Sequence, residues 1–157
     1  VGREHHGGGD LAELLGAIRD TTGNYARWEL WVEVGAGLVH LTHHIGTTGS
    51  SHYESSAVMR ELGEAYTEAG RWNQRPPNVI VRAHRHRHIE IRVPTSSGYG
   101  IAFTCAAWQN KTPFTFKIPG ARQSLPQYGG HLIRQGDKDL YTRHYVESPA
   151  RSKAVKI

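Results

Sequence analysis

The segment VIVRAHRHRHIEIRV, Val79 to Val93, places His84, His86 and His88 at alternate positions between two apolar runs. Side chains two residues apart in an extended strand point to the same face. His84 and His86 are therefore predicted to present two imidazoles side by side, which suits a divalent cation such as Mn, Fe, Zn or Ni. An anion-binding strand and a solvated strand face are the alternatives, so the interpretation depends on what the rest of the chain brings to this segment.

The pattern around this segment predicts a mixed α/β (α+β) fold whose C-terminal half is rich in strands. A first helix is expected at Leu11–Ile18. A second is expected to carry Val58 and Leu62 on one face, with Ser51 and Glu54 at the spacing of a capping box. The predicted strands are Arg27–Val34, Leu38–His44, Val79–Arg82, His88–Val93, Ile101–Ala107, Phe114–Ile118, His131–Arg134 and Leu140–Val146. Residues 1–146 are expected to form one domain and residues 147–157 a basic, flexible tail.

Two further groups of histidines strengthen the interpretation of this segment as part of a metal site. His43 and His44 follow an apolar β run, and ligands in α/β folds favour the loops at strand ends. Glu4, His5 and His6 lie in a glycine-rich turn before the first predicted helix. Taken alone, each group is also compatible with exposed histidines in turns or at a chain end.

The order of these groups resembles the calcineurin-like metallophosphoesterases, whose later motifs are an Asn-His turn, a strand-end His and a Gly-His-x-His. IVRAHRH is similar to the last of these, with Ala83 in place of the usual glycine. PTSSGYGIAFTCAAWQNKTPFTFKI followed by PQYGGHLI looks like the C-terminal sheet of a phage- and prokaryote-associated branch of that family. The resemblance spans roughly Gly2 to Val146 and implies a partial β-sandwich with flanking helices.

The resemblance also implies roles for individual residues. His84 and His86 correspond to the Gly-His-x-His ligands, and His43 to the strand-end ligand, with His44 as its close competitor. In the first turn Glu4 stands where relatives have a metal-binding Asn. His5 or His6 stands where they have the histidine that acts on the leaving group.

The same resemblance predicts an incomplete site. Members of the family need an Asp-x-His and a Gly-Asp after a strand, and no Asp-x-His occurs in this chain, which starts at Val1 without Met. We therefore expect the C-terminal part of a binuclear phosphoester hydrolase domain, completed by an N-terminal complementary segment. Without that segment, metal binding is predicted to be weak and phosphatase activity low or absent.

Arg82 and Arg85 are the candidate phosphate contacts, because guanidinium groups pair well with phosphate oxygens. A formal charge of +5 favours a phosphoester substrate, and nucleic acid is a further possibility. The single cysteine fits a reducing, cytoplasmic location. The chain has no apolar run of membrane-spanning length, so no membrane partner is expected.

Two other classes compete with a phosphoesterase. In a cupin-like metal-binding β-barrel, Glu90 and His131 would converge on His84 and His86, whereas in a phosphoesterase His43 or His44 would do so. In a non-enzymatic nucleic-acid-binding module, basic strands would contact phosphates and exposed aromatic side chains would stack on bases. The candidate stacking residues are Trp72, Trp108 and Tyr99.

Overall fold

The computed structural model describes residues 13–21, 23–25, 27–47, 51–113, 115–117, 125–150 and 153–154. Its elements confirm the predicted mixed α+β class. In chain order they are β1 (Glu29–Val34), β2 (Gly37–Thr42), a 3₁₀ turn (Ser51–Tyr53), α1 (Glu54–Arg71), β3 (Val79–Arg82), β4 (Ile89–Thr95), β5 (Gly98–Thr104), a second 3₁₀ turn (Thr115–Lys117), β6 (Tyr128–Gln135) and β7 (Leu140–Glu147).

The larger sheet has five strands in the order β1-β2-β3-β5-β4. The three central strands are parallel, with β2 and β5 on either side of β3, and the edge strands β1 and β4 are antiparallel to their neighbours. All four residues of β3 are buried, as expected for a Val-Ile-Val strand covered on both faces. This sheet therefore presents the ends of three parallel strands at one edge.

Two layers cover the opposite faces of the five-stranded sheet. On one face, Val58 and Leu62 of α1 pack against Ile80 and Ala102. On the other, Val79, Val81 and Phe103 belong to a core cluster that also contains Leu140, at the start of β7. β6 and β7 form a separate antiparallel hairpin. The result is helix, sheet and hairpin in three layers, with neighbouring residues of β3 facing alternate sides.

Helix α1 is amphipathic, and it supports the predicted positions of Val58 and Leu62, which are both buried. The predicted capping box is wrong. Tyr53 occupies the N-cap position without a side-chain cap bond, and Ser51 begins the 3₁₀ turn instead. The helix ends at Arg71, shortly before the Pro76-Pro77 pair that cannot continue it.

Three other predicted elements differ from the structure over their described residues. The extended geometry assumed for His84–His88 is wrong, because β3 ends at Arg82 and residues 84–87 form bends. The strand predicted at Phe114–Ile118 is also wrong over its described part, Thr115–Lys117, which forms a 3₁₀ turn. Of the first predicted helix, residues 11 and 12 lie outside the described part of the chain, and of the rest only residues 13 and 14 are helical.

Of the predicted tail, residues 151–152 and 155–157 lie outside the described part of the chain, and the flexibility of the tail stays a prediction. Among the helices that the structure describes, none is both long enough and apolar enough to cross a membrane.

Candidate metal centres

The first group of histidines lies at the carboxyl ends of two neighbouring parallel strands. His43 and His44 directly follow β2, and His84 follows β3 by two residues. Leu41 and Val81 are paired in the register of these strands, so the two ends lie side by side. A hydrogen bond from the Ala83 amide to the His43 carbonyl, at 3.0 Å, continues the pairing past the strand ends.

These three residues, called the first triad, bring their imidazoles together. One ring nitrogen from each of His43, His44 and His84 lies within 4.8 Å of the others. His43 Nε2 and His84 Nδ1 are 3.4 Å apart. His43 is half-buried, while His44 and His84 are exposed. Imidazole nitrogens at this spacing suit a cation of the Zn, Ni, Fe or Mn type, and the two exposed rings leave the site accessible from solvent.

The loop that carries His84 has an unusual backbone. His84 has φ 68° and His86 has φ 55°, in the left-handed region that non-glycine residues seldom occupy. Such residues cost about 1–3 kcal/mol each and persist where surrounding contacts hold them. Here Gln127 donates its backbone N–H to the His86 carbonyl at 2.8 Å, and Arg85 Nη2 donates to the Gly46 carbonyl at 2.9 Å. The loop thereby directs His84 toward His43 and His44 without an extended strand.

The other residues predicted for this site are placed as follows. His86 shares the loop but lies outside the first triad. Arg85 is half-buried beside Gly46. Glu4, His5 and His6 lie outside the described residues. The roles predicted for these five residues stay predictions.

Arg82 is only 5% exposed and is engaged in a buried network. Its Nε donates to Glu61 Oε2 of α1 at 2.7 Å, and its Nη2 contacts His40 Nδ1 at 3.4 Å. His40 Nε2 in turn lies 2.8 Å from Glu29 Oε1. Burial and the adjacent guanidinium lower the pKa of His40 below its usual value. These contacts fix the end of β3, and the phosphate-binding role of Arg82 stays a prediction.

A second group of histidines, not predicted as a unit, lies between the large sheet and the hairpin. His88 precedes β4, while His131 on β6 and His144 on β7 are directly opposite each other in the hairpin register. One ring nitrogen from each lies within 4.8 Å of the others, and all three residues are half-buried. Their rings surround Phe103, with centroid separations of 5.9, 5.2 and 5.0 Å. These three histidines are called the second triad.

Hydrogen bonds connect the second triad to Glu90. His131 Nδ1 lies 2.7 Å from His144 Nδ1, and His144 Nε2 lies 2.5 Å from Glu90 Oε2. Glu90 also accepts from Thr142 Oγ1 at 2.5 Å and from Arg92 Nε at 2.6 Å. Burial raises the pKa of Glu90, but these hydrogen bonds outweigh it and leave the pKa below its usual value. The carboxylate is therefore ionised at neutral pH.

Burial has the opposite consequence for the histidines. It lowers the pKa of His131 to about 4, with smaller contributions from His88 and His144. Burial also lowers the pKa of His88. Both rings are therefore neutral at pH 7, the form in which an imidazole nitrogen can bind a metal.

The geometry separates the rival classes. His84 groups with His43 and His44, whereas His131 groups with His88 and His144, and Glu90 bonds to His144. Glu90 and His131 thus belong to a different group from His84, contrary to the cupin arrangement. Moreover, the described strands form an open five-stranded sheet and a hairpin rather than a closed barrel.

The hairpin turn is a sequence feature that can predict the pairing of His131 with His144 in the second triad. Gln135 pairs with Leu140 across the hairpin turn, and the Gly136 amide donates to the Asp139 carbonyl at 2.8 Å. Counting back from that turn places His131 opposite His144. The resemblance implies ligand roles for His84 and His86 of this segment and none for His88.

Comparisons with known proteins add little to this geometry. No protein-family model matches the chain, and no curated protein matches it. Among solved structures, vacuolar protein sorting 29 from Cryptosporidium parvum aligns with 87% of this chain and 67% of its own, at 12% identity and a TM-score of 0.36. That score is too low to carry an argument about family or activity.

Proposed function

We propose that this chain contributes the histidine part of a metal-dependent phosphoester hydrolase site. The observation that carries the proposal is the convergence of His43, His44 and His84 at the carboxyl ends of parallel strands β2 and β3. A strand-end histidine meeting a histidine of the His-x-His segment is also what the sequence resemblance to calcineurin-like metallophosphoesterases implies. The ring geometry supports a cation site, and the resemblance supports phosphoester hydrolysis as its function.

The first triad fits a divalent cation, because all three donors are imidazoles and two of them are exposed. When bound, such a cation supplies Lewis acidity toward phosphoryl oxygens and lowers the pKa of water. His43, His44 and His84 would hold and orient it. Arg85, beside the same loop, is the candidate contact for the substrate phosphate. Arg82 and Glu61 keep the end of β3, and with it the His84 loop, in place.

The charge of the site argues for a complementary segment. The first triad consists of three imidazoles, and neutral imidazoles bring no negative charge to offset that of a dication. We propose that carboxylates from an N-terminal complementary segment complete a binuclear site, with His5 or His6 acting on the leaving group. Alone, this chain should bind one cation weakly at the first triad and hydrolyse phosphoesters slowly or not at all.

Calorimetric titration with Mn²⁺ and Zn²⁺ tests the proposal. The double variant His43→Ala/His84→Ala should lose the weak binding event assigned to the first triad, because two of its three nitrogens are removed. His52→Ala is the matched control, since this exposed histidine lies outside both triads. Hydrolysis of a p-nitrophenyl phosphodiester should be low for the wild type in the presence of either metal.

Two results would contradict the proposal. Unchanged cation binding in the double variant would remove the first triad as the site. Tight binding of two ions at the first triad by the chain alone, with rapid hydrolysis, would show that no complementary segment is needed.

A second candidate function rests on exposed aromatic side chains. Trp72 is 66% exposed and Trp108 is 83% exposed, and both are free of the core clusters. Together with the positive charge, they favour nucleic acid as the phosphate-bearing partner. Binding of single-stranded DNA that persists in EDTA and weakens steeply with salt would favour this function over a metal-dependent one.

A further inference from the structure

The second triad lies where the hairpin meets the large sheet, and each layer contributes to it. His88 belongs to the segment leading into β4, whereas His131 and His144 belong to β6 and β7. Ring centroids are 3.9 Å apart for His88 and His144, and 4.8 Å for His88 and His131. A ligand bound to all three nitrogens would therefore join two layers of the fold.

Hydrogen bonds fix which nitrogen of two of these rings carries the proton. His88 Nδ1 lies 3.0 Å from the Thr104 carbonyl, which can only accept, so Nδ1 carries the proton and Nε2 keeps its lone pair. His144 Nε2 lies 2.5 Å from a Glu90 carboxylate oxygen, so Nε2 carries the proton and Nδ1 keeps its lone pair. Metal-binding histidines have this arrangement, in which a carbonyl or carboxylate holds one N–H and leaves the other nitrogen for the cation.

The third ring is held differently. The Ala106 amide donates to His131 Nε2 at 2.9 Å, so the proton of the neutral ring lies on Nδ1. That proton points at His144 Nδ1, 2.7 Å away. A cation that bound all three rings would occupy this position. His131 would keep its single proton but carry it on Nε2 after exchange with water, and its contact with the Ala106 amide would break.

We propose that His88, His131 and His144 form a second site for one transition-metal dication of the Zn²⁺ or Ni²⁺ type, oriented by Glu90 and the Thr104 carbonyl. Three half-buried imidazoles with a carboxylate behind one of them suit a structural ion that holds the hairpin to the sheet. This inference does not depend on the proposed phosphoesterase function, because it uses none of the residues of the first triad.

The experiment uses the full chain carrying His43→Ala/His84→Ala, so that the first triad no longer contributes. After chelator treatment, the protein is titrated with Zn²⁺ while histidine ring ¹⁵N resonances and backbone amides are recorded by NMR. One equivalent should shift the lone-pair nitrogens of His88 and His144, move the proton of His131 from Nδ1 to Nε2, and shift the Ala106 amide.

A variant of Glu90 adds a measurement of Zn²⁺ affinity to the NMR experiment. Glu90→Gln in the same background keeps all three imidazoles but replaces the carboxylate, and should weaken Zn²⁺ affinity roughly 10–100-fold. Glu68→Gln is the control, because that exposed carboxylate pairs with Arg71 on α1, outside both triads.

The alternative is a metal-free core in which the three histidines only hydrogen bond to one another and to Glu90. Ring and Ala106 resonances that stay unchanged up to excess Zn²⁺ would overturn the proposal in favour of that core. Equal affinity in Glu90→Gln and Glu68→Gln would also overturn it. The spectrum of the parent protein decides the question even if a variant of Glu90 fails to fold.

Discussion

The two histidine triads differ in how the protein holds them. The first triad lies on loops at strand ends, with two exposed rings and two left-handed residues in the segment that carries His84. The second triad is half-buried, with two of its rings on paired strands and a carboxylate bonded to one of them. Histidine side chains thus face solvent in the first triad and the protein interior in the second.

Each environment suits a different task. An exposed site of three imidazoles can exchange ligands with solvent, and negative charge from additional ligands would help it to retain a dication. A site between two layers, with its proton positions fixed by Thr104 and Glu90, is suited to hold one ion without turnover. Changes that act on one triad and spare the other can therefore test this contrast.

The largest effect is expected from Phe103→Ala. This side chain is 1% exposed, packs in the core beneath the hairpin and contacts all three rings of the second triad. Its truncation should cost about 3–5 kcal/mol in the free energy of unfolding, because it leaves a cavity. Urea denaturation measures the loss.

The control for this change is Tyr99→Ala. Tyr99 is an aromatic residue of the same strand, β5, but is 49% exposed, so its loss should be less than about 1 kcal/mol. Similar losses for the two variants would show that the second triad does not rest on a packed aromatic core.

A smaller effect is expected from pH in the metal-free protein. The pKa of His131 is lowered to about 4 in the folded state, below the ordinary value of 6.5 expected when unfolded. Between these values the unfolded chain binds more protons, so the free energy of unfolding should fall as pH drops from 6.5 toward 4. The lowered pKa values of His88 and His40 act in the same direction.

Urea denaturation in EDTA at a series of pH values measures this slope. In His131→Gln the side chain cannot titrate, and the slope should become shallower over the same range. An equally steep slope in that variant would assign the acid sensitivity to other groups and weaken the contrast between a buried and an exposed triad.

The smallest effect is expected from His86→Gly. Glycine tolerates the positive φ at this position, but its unfolded chain is more flexible, so the free energy of unfolding should change by less than about 1 kcal/mol. Because His86 lies outside both triads, Zn²⁺ affinity should stay within about two-fold of the wild type. Calorimetric titration with Zn²⁺ measures the affinity of both triads. A ten-fold loss of Zn²⁺ affinity would indicate that His86 is a ligand, as the His-x-His resemblance implies.

Sequence reasoning located the elements that local pattern determines. The apolar run of β3, the face of α1 and the turn between β1 and β2 follow from spacing and glycine placement. The resemblance implies that His43 and His84 belong to one site, and the parallel pairing of β2 with β3 accounts for their proximity.

The remainder depended on geometry that residue spacing does not encode. Alternation suggested that His84 and His86 share a strand face, but tertiary contacts from Gln127 and Gly46 hold that loop in bends. The second triad required both the hairpin register and the docking of the hairpin on the sheet. Packing between distant segments determines the docking, and a single sequence does not display it.

The segment 83–88 contributes His84 to one triad and His88 to the other. These positions are four apart in the sequence, and Gln127 contacts the segment twice, at the His86 carbonyl and at the His88 amide. A cation bound at either triad would therefore restrict the backbone that serves the other. Thermodynamic linkage makes any such coupling reciprocal. If an ion at the second triad changes the cation affinity of the first triad by some factor, a cation at the first triad changes the affinity of the second triad by the same factor.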